Sequence, residues 1–289
     1  MRKTSLAILF AAAATTSAAT AECDRPCLQI MLDRYLNAMV KHNPAQALLD
    51  PKFRYTENAV AMKTDEGLWK SAMALGAVRR RYLDAVSGQA GYFGLIEEAN
   101  GFGIATVRIR VADKKITEAE VIIGRKADGA FDADGLIGKP PPEDVHPARS
   151  REELVKAAQS YFEGLANSNG AGVLAHKGCY RIENGLLLTG RPIKDSQPPA
   201  VADCATLGNF KATINGVSHR RYPLVDEEAG VVLGMGILER PQGAKRPDGS
   251  IYPRNLLSEY FIVEDGRIRG IYAAMHYMTP DIADAPGWQ

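Results

Sequence analysis

Two acid–amide pairs carry the most chemistry: Glu57-Asn58 in YTENAV and Glu183-Asn184 in RIENGLLL. A glutamate held among apolar walls has a raised pKa and can take a proton from carbon or oxygen as a general base. Alternation from Phe53 to Glu57 puts Phe53, Tyr55 and Glu57 on one strand face. If that face lines an interior, Glu57 or Glu183 is the base and Tyr55 stands beside it to stabilise a developing oxyanion. The plainer reading is that Glu-Asn ends a strand, caps the next turn and hydrogen-bonds backbone groups in both places.

The stretch SHRRYPLVDEEAGVV, Ser218 to Val232, offers a second set. His219 is a candidate acid or base, Arg221 can bind an anion or enolate oxygen, and Asp226 can orient either. An arginine-rich strand entering an acidic loop is also what a solvated, salt-bridged surface looks like. His276 shares a strand face with Tyr272 and Ala274, where a satisfied core histidine is the competing reading. Among the aromatic residues Trp69, Tyr82, Tyr92, Phe93, Tyr222 and Tyr260 could line a pocket and stack on a flat ligand, or fill a core. The candidate substrate-binding residues are therefore Asn58, Trp69, Tyr82, Asn184, Tyr222 and His276. The tail Thr279 to Trp288 reads as a strap carrying an aromatic plug or as a disordered end.

Other chemistries lack their residues. No Walker loop, H-E-x-x-H or G-x-S-x-G occurs, and Gly101-x-Gly103 and Gly234-x-Gly236 lack the third glycine of a dinucleotide fingerprint. The five histidines have no ligand-like spacing, so neither a metal nor a cofactor is expected. With 35 basic and 34 acidic residues and no basic run beyond Arg79-Arg80-Arg81, nucleic acid and anionic membranes are not expected as partners.

The elements that must position these residues begin after a leader. Met1-Arg2-Lys3, the apolar run Leu6–Ala14 and Ala19-Thr20-Ala21 read as a secretory signal peptide over residues 1–21, predicting a soluble secreted or periplasmic protein. Cys23, Cys27, Cys179 and Cys204 then suggest two disulfides in an oxidising compartment. Of three connectivities, proximity favours Cys23–Cys27 with Cys179–Cys204; a metal site is the weaker alternative.

A duplication organises the rest. Leu28, Met31, Leu32, Tyr35, Leu36 and Met39 form a helix stripe, and adding 126 gives Leu154, Ala157, Ala158, Tyr161, Phe162 and Leu165 in the same register. The match runs ungapped from Leu28 to Asn58, so Glu57-Asn58 falls on Glu183-Asn184. Ser150-Arg151-Glu152-Glu153 reads as a capping box. Val107–Gly124 resembles Glu259–His276 at an offset of 152, each a hairpin with an Asp-Lys or Asp-Gly turn. Repeat two thus carries about 26 extra residues, assigned to the Gly190–Gly208 and Arg240–Tyr252 loops. Further strands are expected at Gly91–Glu97, Asn209–Arg221 and Gly230–Glu239. The organisation is α+β in two domains, 22–124 and 150–289, joined by a Gly/Pro/Asp-rich linker over 125–149.

A helix bearing that stripe, a loop ending in LLDPKFRY (Leu48–Tyr55), then strands closing on an Asp-Gly hairpin resembles the nuclear transport factor 2-like superfamily, in its SnoaL-like branch. The resemblance covers nearly all of the chain after the leader, once per repeat. It implies two tandem cone-shaped α+β barrels, each a curved antiparallel sheet around helices with an apolar pocket, and, in the non-catalytic reading, domains packed sheet against sheet as an intramolecular pseudo-dimer. The superfamily includes ketosteroid isomerase, cyclases, dehydratases, hydrolases, lyases and proteins that only bind, so the fold does not choose the activity. The expected function is cofactor-independent proton transfer (isomerase, dehydratase or lyase) on a small apolar or aromatic molecule, with Tyr55, His219 or Arg221 as oxyanion partner to the glutamate. The alternative is a non-catalytic binding or scaffold protein, with homo-oligomerisation open. One pocket with charge deep inside would favour the enzyme; two similar or filled interiors would favour the scaffold.

Overall fold

A computed structural model describes residues 23–143, 150–189, 202–207, 211–245, 251 and 254–278. The leader, the tail strap, most of the Gly190–Gly208 loop and part of the Arg240–Tyr252 loop lie outside the described residues.

Each repeat begins with the helix its stripe predicts. Helix α1 (Arg25–Val40) is capped by Asp24, whose side chain accepts from Cys27 N, with Pro26 in the first turn. In the first domain β1 (Leu49–Glu57), β2 (Val60–Met62), a short helix α2 (Leu68–Ser71), β3 (Ala72–Asp84), β4 (Gln89–Glu98), β5 (Gly101–Ala112) and β6 (Lys115–Arg125) follow. Helix α3 (Ala133–Gly138) lies between the repeats. Helix α4 (Arg151–Asn167) opens the second with the expected Ser150–Glu153 capping box. The second domain continues with β7 (Ala175–Glu183), β8 (Leu186–Leu187), β9 (Gly216–Asp226), β10 (Val231–Glu239), β11 (Asn255–Glu264) and β12 (Arg267–Tyr277).

The sheets repeat one topology, β2-β1-β6-β5-β4-β3 and β8-β7-β12-β11-β10-β9. β1 pairs with β6, and β7 with β12, in parallel; the other neighbours are antiparallel. Among the described residues each sheet is open, so the expected cone-shaped barrels are two α+β layers and not closed barrels. The predicted hairpins are β5–β6 and β11–β12, and their turns sit at positive φ at Asp113-Lys114 and Asp265-Gly266, as a two-residue reversal requires. The strand β3 has no counterpart in the expectations. Its arginines Arg79, Arg80 and Arg81 lie on an edge strand, which charge keeps from pairing with other chains.

Register locates the insertions. Offsets are 126 for β1 and β7, 142 for β3–β4 and β9–β10, and 152 for β5–β6 and β11–β12. The extra residues therefore fall before β9 and between β10 and β11, the two intervals that hold the assigned loops.

One face of each sheet packs on its own helix. The stripe residues of α1 and α4 are all buried, in two separate cores with Val107, Val121 and Ile123 or with Leu257, Phe261 and Ile271. The opposite faces meet each other and form a third core containing Phe93, Leu95 and Ile122 with Met235, Tyr260 and Tyr272. This is the sheet-against-sheet packing that the non-catalytic reading includes. Thr106 and Ser258, equivalent in the repeat, share a 2.7 Å hydroxyl–hydroxyl bond at its centre. Asp84 and Asp226, also equivalent, reach across reciprocally. Asp84 accepts from Val225 N at 2.9 Å and from Arg151, while Asp226 accepts from Leu83 N at 2.7 Å and from Arg25. Residues 126–143 of the linker are docked, with Leu136 in the third core and Asp132 N donating to Asn184 O. The cysteines pair as proximity favoured, Cys23–Cys27 and Cys179–Cys204, the chemistry of an oxidising compartment. No helix among the described residues is long and apolar enough to cross a membrane.

Candidate functional site

The asparagines of the twin pairs do the same backbone work. Asn58 donates to Ile123 O at 3.1 Å and accepts from Ile123 N at 2.8 Å; Asn184 makes both bonds with Met275, at 3.0 and 2.9 Å. Both sit in left-handed turns, at φ 48° and 44°, where asparagine is tolerated. The amide half of the motif is thus a turn that pins a hairpin to the neighbouring strand.

The glutamates differ. In the first interior Glu57 is saturated: Oε2 accepts from Tyr55 OH at 2.8 Å and Leu68 N at 2.7 Å, and Oε1 accepts from Arg125 at 2.9 Å. Burial, with Glu57 beside it, pushes the Tyr55 hydroxyl well above the tyrosine range, so Tyr55 stays a neutral donor. The bond to Leu68 N draws α2 over the interior, and Trp69 fills the space, with its indole N–H on Tyr35 OH at 3.1 Å and its ring edge-on to Tyr35. The first interior is a packed core.

The second interior is hollow. A cavity of about 220 Å³ has Leu165, Leu238, Leu257 and Met275 as apolar wall. At its inner end stand Tyr161 from α4, Arg181 and Glu183 from β7 and Glu259 from β11. Glu183 and Glu259 both pair with Ala273, on β12 between them, so the two carboxyls share one cross-strand row. Arg181 holds Glu183 at 2.9 Å through Nε and donates to Tyr161 OH at 2.9 Å. With its oxygen accepting from arginine, the phenol can turn its proton into the cavity.

Glu259 is 1 % exposed, and its Oε2 has no hydrogen-bond partner among the described residues. Burial, reinforced by the neighbouring Glu183 charge and opposed by Arg181, raises its pKa to about 8. At neutral pH this carboxyl keeps its proton and is a hydrogen-bond donor, a state that only an apolar site sustains. Burial also raises the Tyr161 hydroxyl far above its usual range. The arrangement therefore places two neutral O–H donors, the Glu183 carboxyl and an arginine around the cavity.

The other predicted site residues lie elsewhere. His219 is exposed on β9 at φ 51°, with Nδ1 on Ser218 Oγ, and Arg221 crosses to the first domain to bind Glu120. Tyr222 stacks on Phe162 in the second core. Tyr82 packs on Tyr260 between the sheets, and His276 Nδ1 lies 2.9 Å from Asp128 Oδ1 across the domains. Of the proposed catalytic residues only Glu183 lies in the cavity; Glu57 and Tyr55 meet in the other interior. Sequence reasoning missed Arg181 and Glu259 and took Tyr161 only as helix stripe. The signal was present: Glu259 interrupts the inward run Leu257, Phe261, Val263, and its repeat equivalent is Val107.

A family model described as a domain of unknown function (DUF8021) matches residues 147–275, the second repeat. No curated protein matches the chain. Solved structures each align with less than half of it. A protein of unknown function with a cystatin-like fold from Methylobium petroleophilum is 12 % identical over 44 % of this chain and 99 % of its own, with TM-score 0.31. An NTF2-like protein from Burkholderia xenovorans is 14 % identical over 44 % and 92 %, at 0.28. A pinacolase from Penicillium brevicompactum is 12 % identical over 39 % and 90 %, at 0.28.

Proposed function

We propose that the second domain is a cofactor-independent proton-transfer site, and that the first is its scaffold. The observation that carries this is Glu259, a carboxyl buried without a hydrogen-bond partner for Oε2 among the described residues, in a cavity that also holds the carboxyl of Glu183. Glu183 removes a proton from the carbon beside a carbonyl. The carbonyl oxygen, becoming an enolate oxygen, accepts from Glu259 and Tyr161. Returning the proton from Glu183 to another carbon of the enolate isomerises the substrate, and handing it instead to a β-hydroxyl releases water and dehydrates it. Arg181 positions Glu183 and Tyr161. A cavity of about 220 Å³ suits a small, largely apolar molecule somewhat larger than the benzene that a roughly 150 Å³ cavity holds. The filled first interior favours a structural role for that domain alone.

Phenols mimic an enolate, so their binding to the oxidised chain from Glu22 tests the reading by calorimetry and thermal shift. We expect 4-methylphenol to bind, and Glu259→Gln, Tyr161→Phe or both to weaken it by about tenfold or more while the fold is kept. Absence of binding, or binding indifferent to both substitutions, overturns the proposal.

A further inference from the structure

A separate groove of about 490 Å³ lies on the outer side of the first domain's plug. Helix α2 divides its residues between two sides: Leu68 and Trp69 are buried, while Lys70 is exposed and Ser71 half-buried. Met73 at the start of β3 and Phe102 after the β4–β5 turn line the groove with them. Phe131 joins from the segment between β6 and α3, which Asp128 and Asp132 tie to His276 and to Asn184 O of the second domain. Met73 and Phe102 are 56 % and 39 % exposed, so large apolar side chains meet water together here. The charges around them are not balanced in place. Arg125 binds Glu98 at 2.7 Å and Glu57 at 2.9 Å, and Ser71 Oγ donates to Glu98 at 2.6 Å, so these groups satisfy one another. Lys70 and Lys126 also line the groove, and neither has an acidic partner among the described residues.

We infer that this groove binds a small anionic amphiphile, an apolar chain ending in one carboxylate. The chain covers Met73, Phe102 and Phe131, and the head group pairs with Lys70 and Lys126. Covering that surface removes apolar area from water, and the carboxylate supplies the anion that the two ammonium groups lack. Each lysine is a point charge on a flexible stem, so the pair sets the sign of the head group more strictly than its position. A neutral head gains no charge-assisted bond there, and a cationic one is repelled. The inference concerns the first domain and does not depend on proton transfer in the second.

The test uses three probes with one chain: octanoate, octan-1-ol and octylammonium. Calorimetry with the oxidised chain near neutral pH should rank them in that order, octanoate at least about tenfold tighter than octylammonium. Lys70→Gln combined with Lys126→Gln should bring the three within about twofold of one another. Phe102→Ser should weaken all three by about fivefold or more. Glu259→Gln, in the other domain, should leave octanoate affinity within about twofold. Equal affinities for the three probes on the unaltered protein overturn the anionic ligand. Loss of octanoate binding in Glu259→Gln, with none in Phe102→Ser, would put octanoate in the second domain's cavity and overturn the groove as its site. The other occupant within reach is the chain's own end, since Met278 follows His276, the partner of Asp128. A chain ended at Met278 that binds octanoate about tenfold more tightly would therefore make residues 279–289 the occupant and overturn the inference.

Discussion

The two domains share helix, strand order and register, yet one interior is filled and the other hollow. Three exchanges account for the difference. Tyr55 in the first becomes Arg181 in the second, Val107 becomes Glu259, and Tyr35, which Trp69 covers in the first, corresponds to Tyr161, which lines the cavity in the second. Glu57 and Glu183 are equivalent, but the first is buried and consumed by three donors, and the second is half-buried and stands in a row with another carboxyl. A duplicated scaffold thus holds one copy as core and releases the other for chemistry, and the third core between the sheets ties them together.

Removing the plug makes the largest change. Trp69→Ala leaves a void inside the first domain and should destabilise the chain by about 3–5 kcal/mol in denaturant titration. Phenol affinity should stay within about twofold, because the cavity lies in the other domain. Loss of binding in a folded variant would mean the interiors are coupled and the division into scaffold and site is wrong.

Glu259→Gln sharpens the comparison through pH. The folded pKa of Glu259 is about 8 against an ordinary 4.5, so between these values the folded state holds a proton that the unfolded state has released. Stability must therefore fall as pH rises from 4.5 to 8, with each unit removing up to about 1.4 kcal/mol. Gln stands in for the protonated acid and has no such slope. The variant should match the parent at pH 5 and exceed it by roughly 3 kcal/mol at pH 7. Parallel stability curves for the two proteins would show that Glu259 ionises normally.

What the sequence made legible follows from this geometry. Helix stripes, hairpin turns, the disulfides and the duplication are local or periodic signals, and each was readable from spacing. Asn58 and Asn184 were readable as a turn because a two-residue reversal limits the residues that fit. Glu259 was not, since its meaning depends on Ala273 and Glu183 beside it, brought near by a parallel pairing between strands 90 residues apart in register. His219 and Arg221 looked catalytic because charge is conspicuous in sequence, but β9 directs them to solvent and to the domain seam. Subtracting one repeat from the other is the better guide: an inward position that is valine in one copy and glutamate in the other marks where function departed from structure.

The same subtraction finds a feature that did not depart. Arg25 and Arg151, the first residues of the two helices, clamp Asp226 and Asp84 of the opposite domains, at 2.6 Å in both cases. Burial alone would push the Asp84 carboxyl up, but hydrogen bonds from Arg151, Ser87 and Val225 N outweigh it and hold it below the usual range. A carboxyl depressed in the fold contributes stability at pH above its unfolded value, and that contribution is lost as pH falls through the folded one. Arg25→Met and Arg151→Met should therefore cost similar amounts, about 1–2 kcal/mol each at pH 7, since both aspartates keep their bonds to backbone N–H groups. Arg151→Met should also lessen the acid sensitivity of unfolding below about pH 4. If one substitution unfolds the protein and the other is silent, the seam is no longer two-fold in energy, and the duplication has diverged at its interface as well as in its interiors.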